Sequence, residues 1–253
     1  MMGKIHFELC AESAGAARIA DACGADRVEL CENLAAGGTT PPLAMIKDAV
    51  ASLSIPVHVL IRPRAGDFVY TPEEFVRMKE EIRAAKMAGA AGVVLGVLLK
   101  DGRVDGTRSR ALVEESRPMR VTFHRAFDET PDPFEALEAV VSTGADWLLT
   151  SGGERNVVEG AETLARLARQ ANGRIRVMVG GGLRLENLVE VVRATGVEWV
   201  HGSLQRRESC AGDPAASDSG EAANSEVREE DVRMVMQMLR EEAGVKNDKQ
   251  PAG

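Results

Sequence analysis

HFELCAES, residues 6–13, decides between two α/β architectures. It is a short apolar run that turns polar at once. In a dinucleotide-binding doubly wound sheet, a G-x-G-x-x-G turn follows the first strand. Here Glu8 to Ser13 occupies that place. A related stretch follows as DRVELCEN, residues 26–33. Each copy ends in Glu-Leu-Cys: Glu8, Leu9, Cys10, then Glu29, Leu30, Cys31. Alternate residues of a strand share a face. Each copy therefore sets a carboxylate and a thiol on one side and a leucine on the other.

Outward from these two stretches, apolar runs alternate with helical patterns. Strands are predicted at 5–10, 27–31, 57–62, 92–98, 120–125, 147–151, 176–180 and 199–203. Thr40 before Pro41-Pro42, Thr71-Pro72 with Glu74, and Asp132-Pro133 with Glu135 read as helix starts. Each has an N-cap residue followed by Pro, and the last two add a capping-box Glu. Gly24, Gly89, Gly144 and Gly196 close helical patterns just before strands, as a left-handed C′ residue does. Eight such units in 253 residues predict an α/β fold of the (β/α)8 TIM-barrel type, one domain over 1–253. Residues 206–226, RRESCAGDPAASDSGEAANSE, read as a flexible loop after the eighth strand within that domain. An amphipathic helix carrying Val232, Val235, Met236 and Leu239 follows.

Composition narrows the class. The chain is 44% hydrophobic and 28% charged with net charge −8, so a nucleic-acid or anionic-membrane surface is not expected. No apolar run approaches the ~20 residues of a membrane span. His6 and Glu8 interrupt the only candidate signal-peptide core. Cysteines at 10, 23, 31 and 210 form no C-x-x-C and read as reduced cytosolic thiols.

In a barrel, reactive groups gather at the C-terminal ends of strands. Parity directs Glu8, Cys10, Glu29 and Cys31 into the mouth. It adds Arg62 and Arg64 on strand three, with His58 near the strand start as a core histidine. On strand five it adds His124 opposite Phe123 and Arg125, and on strand eight His201 and Ser203. Arg62 is the expected partner of the buried carboxylates. The catalytic candidates are therefore Glu8, Glu29, Arg62, His124 and His201. Gly180, Gly181 and Gly182, before a helix expected at 184–187, form with Ser203 a candidate anion or phosphate site. An ion-pair network alone would also explain Glu8, Glu29 and Arg62.

No proposed strand carries a lysine, so Schiff-base chemistry is not expected. H-E-x-x-H and G-x-S-x-G are absent, and no nucleotide cofactor is expected. Cys10 and Cys31 end neighbouring strands, where two sulfurs can meet and suit Cu(I). Buried cysteine is equally often an apolar filler. Both readings stay open on the residues alone.

GADRVELC (24–31), GGTTPP (37–42), IPVHVLIRPRAGDFVY (55–70), VTFHRAFD (121–128), LLTSG (148–152) and VGGG (179–182) resemble the copper homeostasis protein CutC family. The resemblance spans nearly the whole barrel, and the stretch after 205 departs from it. It implies a cytoplasmic TIM barrel, a homodimer or higher homo-oligomer, that handles copper through the cysteines falling here at 10 and 31. It leaves Glu8, Glu29, Arg62 and His124 unexplained. Those residues suit an enzyme acting on a phosphorylated or other anionic small molecule by isomerase- or lyase-type acid–base chemistry. The expected partner is thus a copper ion or an anionic small molecule, without nucleic acid or membrane.

Overall fold

Eight parallel strands close into a barrel in sequence order, β1 to β8, in a computed structural model that describes residues 3–205 and 227–244. The strands are β1 His6–Ala11, β2 Arg27–Leu30, β3 Val57–Leu60, β4 Gly92–Leu95, β5 Arg120–Phe123, β6 Trp147–Thr150, β7 Arg176–Gly180 and β8 Trp199–Gly202. The helices are α1 Ala14–Ala22, α2 Leu43–Ser52, α3 Pro72–Met87, α4 Gly106–Ser116, α5 Pro133–Thr143, α6 Ala161–Ala171, α7 Leu188–Thr195 and α8 Glu229–Glu242. The expected TIM barrel is the observed fold. The loop expected at 206–226, Cys210 included, lies outside the described residues.

Side-chain caps explain four of the eight described helix starts, at Ser13, Thr71, Asp105 and Asp132. Thr71 accepts from the Glu74 N–H at 3.2 Å while Glu74 accepts from the Thr71 N–H at 2.8 Å, completing the capping box of α3. Asp132 caps α5 through Phe134 and Glu135 N–H groups, without the return bond from Glu135. Thr40 departs from expectation. Helix α2 begins at Leu43 with Pro42 at its N-cap. The Thr40 hydroxyl instead accepts from the Arg62 N–H at 2.8 Å and donates to Glu81 at 2.7 Å. It ties the end of β3 to α3.

One apolar layer lies between the strands and the helices. Phe7, Leu9, Val28, Leu30, Val57 and Val59 face outward and pack beneath the helices. Val232, Val235, Met236 and Leu239 of α8 bury against the same layer. The barrel interior is polar by comparison, because Glu8, Arg27, Glu29, His58, Thr122 and His201 are all buried.

Register sets the site. Glu8 stands opposite Arg27 on β2 and opposite His201 on β8. Cys10 stands opposite Glu29, and Glu29 opposite His58. The two Glu-Leu-Cys stretches are thus staggered by two residues instead of lying side by side, as strand tilt in a closed barrel requires.

Candidate functional site

At the floor of the barrel mouth, Glu8 is fully buried and pairs with Arg27, itself 2% exposed. The Arg27 guanidinium lies between the Trp147 and Trp199 rings, 4.4 and 4.6 Å from their centroids. His201 bridges two carboxylates, with Nδ1 2.8 Å from Glu8 Oε1 and Nε2 3.4 Å from Glu29 Oε2.

This arrangement separates the two carboxylates. Burial alone would raise Glu8, but Arg27 and the His201 hydrogen bond pull its pKa down to about 2. Burial and the neighbouring Glu8 charge lift Glu29 to about 7, against the pull of His201 and Arg27. Burial disfavours a charged His201, yet the Glu8 hydrogen bond and the two carboxylate charges hold its pKa above the usual value.

The sulfurs meet just above. Cys10 Sγ and Cys31 Sγ are 3.6 Å apart, packed with Leu60 and Val94. The hydrogen bond to Cys31, then burial, then the nearby Glu29 and Glu8 charges push the Cys10 thiol well above its ordinary pKa. Donor atoms of Cys10, Glu29 and His201 lie within 4.8 Å of one another. This thiol, carboxylate and imidazole set fits a soft or borderline cation better than a hard one.

A cleft of about 1060 Å³ opens above this floor. Cys10, Glu29, Arg62, His124 and His201 all line it. So do Gly181, Gly182 and Ser203. Glu8 lies beneath the cleft, bonded to His201. Gly180 lies below its rim opposite His201 on β8, and Cys31 behind Cys10.

Four expectations change. Arg62 is not the partner of the carboxylates. It donates to the Ala36 and Gly38 carbonyls at 3.2 and 2.8 Å and to Gly66 O at 2.6 Å. Its guanidinium also lies 4.8 Å from the Phe68 centroid. Arg27 takes the role expected of Arg62. It shares parity with Glu29 and Cys31, which was the signal for it in the sequence. Arg64 leaves the mouth to pair with Glu74 at 2.6 Å and Asp67 at 2.8 Å. Arg125 comes into the cleft, because β5 ends at Phe123 and a 3-10 turn, Arg125–Glu129, breaks the alternation. Finally, the glycine run opens no helix at 184, since α7 begins at Leu188.

His124 sits on the cleft wall with its Nδ1 accepting the Ala126 N–H at 3.1 Å. Burial and the Arg62 charge hold its pKa down to about 3, so the ring is neutral and carries its proton on Nε2. Gly96 makes room for it, since a Cβ there would stand 2.6 Å from His124 Nδ1.

Known proteins place this chain. The CutC family profile matches residues 5–206. The copper homeostasis protein cutC homolog of Homo sapiens is 44% identical over 199 residues, covering 79% of this chain and 73% of that protein. A family protein CutC of Porphyromonas gingivalis is 43% identical over 201 residues, covering 79% and 81% respectively. The crystal structure of a CutC from Streptococcus agalactiae superposes with TM-score 0.75 at 35% identity, covering 79% of this chain and 98% of that one. Phosphoribosylanthranilate isomerase from Pyrococcus furiosus shares the barrel alone, with TM-score 0.58 at 18% identity over 94% of this chain and 99% of that one. The profile spans nearly all of the barrel and the relatives match over most of their own length, so the chain belongs to the CutC family.

Proposed function

We propose that this protein serves copper homeostasis by binding Cu(I) between Cys10 and Cys31. One observation carries the reading: two buried sulfurs 3.6 Å apart, one of them on the wall of an open cleft. Two soft donors in an apolar setting suit a low-coordinate Cu(I) better than Zn(II), which prefers four ligands. The name of the human relative, a copper homeostasis protein, agrees with this. The proposal extends to a cytoplasmic homo-oligomer. No helix among the described residues is long and apolar enough to cross a membrane. Titration against a chromophoric Cu(I) chelator tests the ligands. The parent takes up stoichiometric Cu(I), and the Cys10→Ala/Cys31→Ala variant loses it. Equal uptake by both proteins removes the assignment.

A second reading rests on the series Glu8–His201–Glu29 beneath the cleft, one hydrogen bond and one 3.4 Å ion-pair contact, which Cu(I) ligation by two sulfurs does not require. Here the cleft is the active site of an isomerase or lyase acting next to a carbonyl of an anionic small molecule. Glu29 is the general base, His201 passes the proton, and Glu8 fixes the His201 ring. His124 donates from Nε2 to the substrate oxygen, and Arg62 supplies positive charge on the same wall. Solvent deuterium incorporation into a panel of hydroxy-carbonyl compounds tests it. Glu29→Gln lowers the exchange rate by ~10²–10⁴-fold. Exchange that survives the substitution undiminished rules out this base.

A further inference from the structure

Arg125 has no part in either reading, yet it is a cation of the cleft fixed by two side-chain hydrogen bonds. Its Nε donates to Asp128 Oδ2 at 2.7 Å and its Nη2 to Ser151 Oγ at 3.0 Å. Asp128 is itself held at the end of β6. It accepts from the Ser151 N–H at 3.1 Å, the Ser151 hydroxyl at 2.9 Å, the Gly153 N–H at 3.1 Å and the Thr150 hydroxyl. Its charge is thus dispersed over several donors, and Arg125 is clamped at two of its three nitrogens. The third, Nη1, has no acceptor among the described residues.

That free nitrogen lies against the loop after β7. A Cβ on Gly181 would stand 2.8 Å from Arg125 Cζ and 3.0 Å from Nη1. Gly181 and Gly182 also have φ of 113° and 73°, which side chains disfavour. Both loop carbonyls are tied back into the protein. Gly181 O accepts the Val157 N–H at 2.9 Å, and Gly182 O accepts from Asn187 Nδ2 at 2.9 Å. The N–H groups of Gly181, Gly182 and Leu183 have no acceptor among the described residues. All three residues line the cleft with Arg125 and Ser203. Arg184 and Glu186, on the same wall, carry opposite charges.

We propose that Arg125 and the Gly181–Leu183 backbone form a seat for the phosphoryl group of a phosphate monoester. This rests on the second reading and names the charged end of its substrate. Successive N–H groups in a glycine turn make an anion-binding concavity, and a guanidinium beside it adds charge-assisted bonds. Three amides, a guanidinium nitrogen and the Ser203 hydroxyl offer more directions than a planar carboxylate accepts. They match a tetrahedral dianion.

Inorganic phosphate is the probe, followed by calorimetry and phosphorus NMR at low ionic strength, with acetate as the comparison. The parent binds phosphate and discriminates against acetate. Arg125→Gln weakens phosphate by roughly ten-fold or more, the worth of a hydrogen bond to a charged group. Gly181→Ala, which displaces the guanidinium, does the same. Arg125→Gln keeps the parent circular dichroism and Cu(I) uptake, so the loss is local. Arg125→Lys retains part of the affinity and guards against a folding artefact. The seat is overturned if the parent ignores phosphate, if Arg125→Gln binds it unchanged, or if acetate binds as well. Phosphate binding that depends on Arg125, in a protein with no deuterium exchange on any phosphorylated carbonyl compound, upholds the seat and removes the enzyme reading instead.

Discussion

Glu8 and Arg27 face each other across adjacent strands, and two indole rings close over the guanidinium. Removing one member of a buried pair leaves the other charge uncompensated. Glu8→Gln is therefore expected to cost ~3–5 kcal/mol in urea unfolding. The double variant Glu8→Gln/Arg27→Met recovers much of that loss, because it removes both charges; a double variant no more stable than Glu8→Gln contradicts the pairing. Both acids, both thiols and the two histidines of the mouth were legible from parity. Arg27 shares that parity, yet an arginine at a strand start usually reaches solvent, whereas here Trp147 and Trp199 enclose it. Arg62 looked like the natural partner from its place at a strand end, but backbone carbonyls of the Ala36–Gly38 turn reach it first. His124 depends on a small neighbour in the same way. Gly96→Ala sets a methyl against its ring, and overpacking of this kind costs ~1–3 kcal/mol. Equal thermal midpoints for Gly96→Ala and parent argue against that close approach.

Strands and helices are joined by a device that recurs. Gly-Ala-Asp precedes β2 at 24–26 and β6 at 144–146. Asp26 accepts the Phe7 N–H at 3.1 Å, and Asp146 accepts the Val121 N–H at 2.9 Å, each reaching back to the preceding neighbour in the sheet. Asp146 also holds Arg120 and Arg117, at 2.7 and 3.1 Å. Burial works against its charge, but the Val121 amide and these two arginines keep its pKa below the usual carboxylate range. Asp146→Ala is expected to destabilise by ~1.5–3 kcal/mol, the worth of a hydrogen bond to a charged group. A denaturant midpoint within error of the parent counts against the bond. The glycines of this device were legible as helix ends, while the aspartates were not read at all. Their work is non-local, and helix-capping rules describe only neighbours in sequence. The stagger of β1 against β2 was hidden for a related reason. Alternation fixes which face a residue takes, but strand tilt fixes which residue stands beside it.

At the scale of the molecule, eight strand–helix units were legible because apolar runs alternate with helical patterns, several of them bounded by caps and glycines. The site was legible only as a set of residues at one end, since the bonds among them cross the barrel. Burial of its histidines also sets the acid stability. Burial, with Arg27 nearby, holds His58 neutral with a pKa of about 3, although Glu8 and Asp146 pull the other way. An unfolded histidine takes up its proton near pH 6.5. Between about pH 6.5 and 3 the unfolded chain therefore binds the extra proton, and stability falls as pH falls. The slope is up to ~1.4 kcal/mol per pH unit for each such ring. His124 adds a second ring, and Glu29, protonated up to about 7, opposes them. His58→Leu is expected to flatten the loss of urea midpoint between pH 6.5 and 5; an unchanged slope means that His58 is not held neutral. The central claim concerns the two sulfurs, and X-ray absorption at the copper edge of the Cu(I)-loaded protein reads them directly. The expected spectrum shows two sulfur scatterers in the first shell, both lost in Cys10→Ala/Cys31→Ala. A first shell of nitrogen and oxygen alone, or one unchanged in that variant, contradicts the account.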